Sequence, residues 1–247
     1  MDKLIDIART GLRGAMARQT ATANNLANAN TVGFRQEIMN AQARWVDGAT
    51  LKSRAMDVDQ VIAADMKAGT VTQTGNPLDI SIGGDGMLAV QANDGSEGYT
   101  RRGDLVLSDS GLLTTADGHP VLGEGGPVTL PPADSINITK DGAIWIVPQG
   151  GRIDQPQQVD VLKIVSPKGS AIAKGTDGLF REANGGTLPQ DPLANVTSGS
   201  LEGSNVNTTE ALVQMIEASR AWQGQIKLID TAKDIDNSGA SLMRLDS

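Results

Sequence analysis

Few residues of this 247-residue chain could do chemistry, and none of them stands in the company that chemistry needs. The single histidine, His119, sits in the turn sequence Ala116-Asp117-Gly118-His119-Pro120. With no second histidine and no cysteine, it has no companion for a metal site or a nucleophile–base pair, and it reads as a solvent-facing turn residue. Gly83–Val90 (GGDGMLAV) has the glycines of a phosphate loop or of one turn of a calcium β-roll. It lacks the Lys-Ser/Thr pair of the first and the tandem repetition of the second, so a hairpin turn is the better reading. Arg101 and Arg102 beside Tyr99 could stack on a base. On a chain of net charge −8, an isolated arginine pair reads instead as a solvated strand face. The acidic residues are scattered. The sequence therefore predicts no catalytic residue, no cofactor and no metal site, and no enzyme.

The informative spacings lie in the elements at the two ends. Ile5, Ala8, Leu12, Ala15, Gln19, Thr22, Leu26 and Ala29 follow the alternating three–four repeat of a coiled-coil seam. This predicts a helix from residue 2 to about 29, roughly 40 Å long at ~1.5 Å per residue. Gly11 and Gly14 weaken it by about 1 kcal/mol each but admit a close neighbour. The seam runs into an asparagine-rich stretch holding Asn24, Asn25, Asn28 and Asn30, although asparagine is a poor helix former. Gly33 then permits a turn that other residues resist, and Phe34 supplies an anchor after it. At the other end, Leu212, Met215, Ser219, Trp222, Ile226 and Ile229 keep the same spacing, and Ile216 widens the stripe. Thr208 or Thr209 is placed to cap this helix, Glu210 suits its first turn, and Asn237-Ser238-Gly239 threatens its end.

Between the helices the period changes to two. Leu78, Ile80 and Ile82 alternate with Asp79 and Ser81, and Ile136, Ile138, Ile144 and Ile146 flank the Asp141-Gly142 pair. Asp-Gly pairs at Asp85, Asp94, Asp117 and Asp141 supply the positive φ of tight hairpins. Leu179 and Phe180 are expected to tuck back onto the sheet. Gln36–Val46 and Met56–Ala64 fit helix or strand equally well. The predicted class is α+β: N- and C-terminal coiled-coil-like helices packed together, with a central all-β domain of short antiparallel strands. The expected divisions are 1–31 (N-terminal helix), 32–75 (connector with partial β structure), 76–203 (β-rich domain) and 204–247 (C-terminal helix). The seams contain Gln19, Thr22, Ser219 and Lys233, so a lone helix pair is marginal and further partners are expected.

The acidic balance argues against a nucleic-acid surface. The zero cysteine count removes disulfides. The N-terminus has no continuous apolar stretch of a secretory signal, and nothing approaches the ~18 apolar residues of a membrane span. Composition alone would suggest a cytoplasmic protein.

The stretch ANNLANANTVGFR (23–35) resembles the N-terminal signature of the bacterial flagellar rod and hook proteins, in which an asparagine-rich helix end meets a Thr-Pro-Gly-Phe-Lys type turn. Val32 stands where the family usually has proline, and Arg35 where lysine is commoner. The resemblance recurs at TGNPLDISIGGDGMLAV, GYTRRGDLVLSDSGLLTTADGHPVLGEGGPVTLP and LEGSNVNTTEALVQMIEASRAWQGQIKLID. The short length, LEGSNV and GHPVLGEGGP look most like the proximal-rod branch, with the distal-rod branch the nearest rival.

This resemblance implies a structural subunit of the basal-body rod, built helically through its terminal helices as part of a drive shaft and export channel. It implies other rod subunits and copies of itself as partners. It also implies passage through the flagellar type III export apparatus without a cleaved signal peptide, and neither nucleic-acid binding nor membrane insertion. The residues expected at the assembly interface are Ile5, Leu12, Asn25, Leu26, Asn28, Asn30, Gly33, Phe34, Leu212, Met215, Ile216, Trp222, Ile226 and Ile229. The alternatives are a distal-rod or hook-family subunit and, more remotely, a soluble β-domain binding module dimerised by its helices.

Overall fold

Helix α1 (Asp2–Ala27) ends where alanine gives way to Asn-Ala-Asn-Thr, two residues before the seam pattern predicts. Thr31 closes the turn, its N–H and its hydroxyl both donating to Asn28 at 3.1 Å, to the carbonyl and the side-chain oxygen respectively. The computed structural model describes residues 2–45, 55–152 and 154–244.

After α1 come strands β1 (Glu37–Trp45), β2 (Ala55–Ala64), β3 (Val71–Gln73), β4 (Ile80–Ile82), β5 (Met87–Gln91) and β6 (Glu97–Thr100). Next are β7 (Leu105–Leu107), β8 (Leu113–Thr115), β9 (Leu122–Gly123), β10 (Gly126–Pro127), β11 (Ala133–Ile138) and β12 (Ala143–Pro148). Then follow β13 (Gln157–Val161), β14 (Ile164–Val165), β15 (Ile172–Lys174), β16 (Phe180–Glu182), β17 (Val196–Ser198), β18 (Ser200–Glu202) and helix α2 (Thr208–Arg244). The class is α+β, with a helix at each end and short antiparallel strands between.

The chain forms two units. A helical unit takes in Met1–Ala27, Glu37–Ile62 and Asn207–Ser247; a β unit takes in Asn28–Gln36 and Ala63–Val206. The 32–75 stretch thus contributes to both. Its two ambiguous segments hold strands β1 and β2, which pair with each other and belong to the helical unit except for Ala63 and Ala64 at the end of β2.

In the helical unit α1 lies against α2 and also meets β1. The buried apolar positions are alanines: Ala8, Ala15 and Ala21 on α1, and Ala211, Ala218 and Ala232 on α2. Gly11 faces the end of the Gln225 side chain, 2.9 Å from where a Cβ would stand. The cap of α2 is Asn207, not Thr208 or Thr209: its Oδ1 accepts the N–H of Thr209 at 3.0 Å and of Glu210 at 3.3 Å. Asn237-Ser238-Gly239 does not stop α2, which runs on to Arg244.

In the β unit, β5 is buried on both faces, as period two on a central strand requires. Leu88 and Val90 join a large core with Ile80, Leu113, Val121, Ile144, Ile146 and Leu162. Met87 and Ala89 point the other way, into a smaller core with Tyr99, Val165, Phe180 and Leu188. Each such buried aliphatic side chain contributes about 1.5–3 kcal/mol. The β11–β12 hairpin pairs Ile136 with Ile146 and Ile138 with Ile144, across a Gly142 at φ 81°. Leu179 and Phe180 are buried, as the sequence suggests.

Two turn readings change. His119 is 8% exposed, because its backbone N–H and carbonyl both turn inward to Thr115. Gly83–Val90 is not a hairpin: β4 pairs with β17 while β5 pairs with β6 and β14, and the positive φ falls on Gly84 rather than Gly86.

Candidate assembly surface and charged clasp

The carbonyls of the glycine loop between β4 and β5 have a defined occupant. The guanidinium of Arg101, 3% exposed, donates to the carbonyls of Ile82 at 2.7 Å, Gly84 at 2.9 Å and Gly86. It also pairs with the Glu202 carboxylate, through Nε at 3.0 Å and through Nη2. The other Glu202 oxygen holds the Arg35 guanidinium at 2.8 Å and accepts the Gly69 N–H at 2.8 Å. Arg35 further donates to the Lys67 carbonyl at 2.7 Å. Burial pulls the Arg101 pKa down from its ordinary value, and the adjacent Glu202 charge opposes that. Arg101 is therefore no solvated strand residue. Arg102 is partly exposed and paired with Asp104 at 2.7 Å and Asp117 at 2.6 Å.

Backbone and amide groups extend this clasp. Gly33 N–H donates to the Glu202 carbonyl at 2.7 Å. The Asn205 side chain accepts the Gln36 N–H at 2.7 Å and donates to the carbonyls of Asp65 at 2.8 Å and Lys67 at 3.0 Å. Gly33 stands at φ 67°, with the space for a Cβ filled by the Arg101 carbonyl at 2.4 Å, so both conformation and room demand glycine. Phe34 is half-buried, with Lys174 Nζ 3.9 Å from its ring centroid. The clasp thus joins residues 33–36, 65–70, 82–86, 101 and 200–205.

The remaining predicted interface residues lie on the helices and the turn. Asn25 is buried and binds the Glu37 backbone, and Asn24 donates to the Glu37 carboxylate at 2.6 Å. Leu12, Leu26 and Asn28 are half-buried and Asn30 is exposed. Ile5 lies in α1, its side chain outside the described residues. On α2, Met215, Trp222, Ile226 and Ile229 are half-buried, while Leu212 and Ile216 face outward. The indole N–H of Trp222 is buried with no acceptor among the described residues. Val213, Leu228 and Ile235, which the seam spacing omits, are also exposed. Arg35, Arg101, Glu202 and Asn205 were missed as a site. Their only sequence signal was membership of the segments that carry the resemblance.

No group of His, Asp or Glu among the described residues is placed to hold a metal ion, and no described helix is long and apolar enough to cross a membrane.

Comparison with known proteins assigns the class. Residues 5–35 match the family described as Flagella basal body rod protein. Residues 81–146 match the Flagellar hook protein FlgE/F/G D1 domain, and 197–242 match the Flagellar basal body rod FlgEFG protein C-terminal. The chain is 39% identical over 251 residues to the flagellar basal-body rod protein FlgF of Salmonella typhimurium, covering 99% of this chain and 100% of that one. It is 40% identical to FlgF of Escherichia coli over 95% of both chains, and 30% identical to FlgG of Bacillus subtilis over 95% and 97%. The chain belongs to the flagellar basal-body rod protein family. Within that family it is FlgF-like, a structural component of the basal-body rod and not an enzyme.

Proposed function

We propose that this chain is a proximal-rod subunit that assembles helically, with copies of itself and with other rod proteins, through α1 and α2. The observation that carries the reading is the apolar surface of α2. Leu212, Val213, Ile216, Leu228 and Ile235 are each 49–54% exposed. At about 25 cal/mol per Å² of apolar area, covering them is a substantial driving force for association. Leu228 and Ile235 share a three–four repeat with Glu217, Ala221, Gly224 and Thr231, all exposed, which is the spacing of a second seam. On α1, Arg9, Arg13, Met16, Thr20, Ala23 and Ala27 are exposed at the same spacing. In this reading the helices pair as a coiled coil and form an inner tube, the β unit an outer layer, and residues 32–75 a wedge between neighbours. The subunit leaves the cell through the flagellar type III export apparatus without a cleaved signal peptide.

The chain has no cysteine, so cysteines can be placed singly. Rods built from a mixture of Met16→Cys and Leu228→Cys chains should give disulfide-linked dimers on mild oxidation. Rods that yield only uncross-linked chain would contradict assembly through these two faces.

A further inference from the structure

The three members of the buried charged group are not held equally, and the inequality has a direction. Arg101 has three backbone carbonyls besides Glu202. Among the described residues Arg35 has one, that of Lys67, and its Nε is buried with no acceptor. Two buried cations share one carboxylate, so without Glu202 the pair repel each other in a medium that screens poorly. Arg101 keeps its carbonyl cradle when that happens. Arg35 does not, and it lies in the short segment 33–36 at the N-terminal edge of the β unit.

We propose that Glu202 is a chain-completion latch: it holds the N-terminal segment 33–36 in the β unit, which docks only once β18 has delivered the carboxylate. Glu202 pairs with Val71 across β18–β3, its carbonyl receives the Gly33 N–H, and Asn205 three residues later receives the Gln36 N–H. Both the Gly33 and the Gln36 N–H groups thus end on residues 202–205, while the Gln36 carbonyl accepts the Asp65 N–H at 2.8 Å. Because a chain is made N-terminus first, Arg35 and Arg101 exist long before their shared counter-charge. The glycine–aromatic turn thus stays undocked until the last strand arrives, immediately before α2 begins. This inference concerns the single chain and does not rest on the assembly reading.

Amide hydrogen exchange on the full-length monomer tests it. In Glu202→Gln, amides of 33–36 and 67–70 should exchange roughly 100-fold faster or more, the scale of a buried ion pair that loses one partner, while β11–β13 keeps its protection. Adding Arg35→Met to that variant removes the stranded cation and should restore at least about tenfold of the protection, whereas adding Arg101→Met should not. Parental exchange in Glu202→Gln, or a release that Arg35→Met fails to reverse, would overturn the latch. If Glu202→Gln alone does not fold, the Arg35→Met/Glu202→Gln chain decides: folded with 33–36 protected supports the proposal, and unfolded overturns it.

Discussion

The side-chain amide of Asn25 reads the backbone of Glu37 in both directions: its Oδ1 accepts the Glu37 N–H at 2.8 Å and its Nδ2 donates to the Glu37 carbonyl at 3.0 Å. A buried amide that would be a liability in a helix is here the partner of the first residue of β1. Asn25→Ala leaves both Glu37 groups without that partner, which costs about 1–3 kcal/mol. The Glu37 amide should then exchange with solvent roughly 5- to 100-fold faster, while residues 80–165 are unaffected.

Gly33 and Gly75 separate conformation from space. Both have positive φ, 67° and 78°, but a Cβ at Gly75 meets open space while one at Gly33 meets the Arg101 backbone at 2.4 Å. Gly75→Ala should cost about 1–2 kcal/mol, the strain alone. Gly33→Ala should cost clearly more, because backbone must move. Denaturant midpoints of the two variants against the parent give the order, and equal losses would remove the steric argument.

Tyr99 is the chain's single tyrosine, so its titration can be followed directly by ultraviolet absorbance. Burial pushes its phenol up to about 12, although the Leu188 N–H donating to its oxygen at 2.7 Å works the other way. The neutral form is favoured in the folded state. The stabilisation is therefore complete below the unfolded value near 10 and is lost as pH rises from about 10 to 12, by about 2–3 kcal/mol. Tyr99→Phe should be less stable at neutral pH, since the Leu188 N–H loses its acceptor, and should lack this part of the alkaline loss. Urea midpoints at pH 9 and pH 11.5 check both.

Outward and inward positions of α2 should behave differently. Ile216 is 54% exposed, so Ile216→Asp should change monomer stability by only about 0.5 kcal/mol, yet prevent incorporation into rods. Ala218 is buried, and Ala218→Asp, by placing a charge between elements of the helical unit, should abolish the marginal helicity that the monomer retains. Circular dichroism of the monomers and the protein content of isolated rods distinguish the two.

The parts of the fold legible in sequence were those whose signal is local. The isoleucines about Asp141-Gly142 gave two alternating strands across a turn, which are β11 and β12, because strand period and turn chemistry lie within a dozen residues. The terminal seams gave helices, and on α1 the seam residues Ala8, Ala15 and Thr22 are buried, whereas on α2 the buried stripe differs from the spacing read. Alanines occupy the buried stripe, so the larger Leu212 and Ile216 drew the predicted face toward solvent. Thr208 and Thr209 masked the true cap one position earlier. The clasp was illegible for a different reason: Arg101 and Glu202 are 101 residues apart, Arg35 is farther still, and an arginine bound by backbone carbonyls leaves no side-chain pattern. His119 was read as exposed with the rest of its turn, yet it alone of residues 116–119 is buried, its backbone bonded on both sides to Thr115.

The central claim is that the terminal helices complete their packing in the rod. Hydrogen exchange compared between dilute monomer and assembled rods tests it most directly. The account predicts that amides of residues 2–27 and 208–244 exchange rapidly in the monomer and become protected in the rod, with β5 and β11–β13 protected in both. Strong protection of both helices in the dilute monomer, unchanged in the rod, would contradict it.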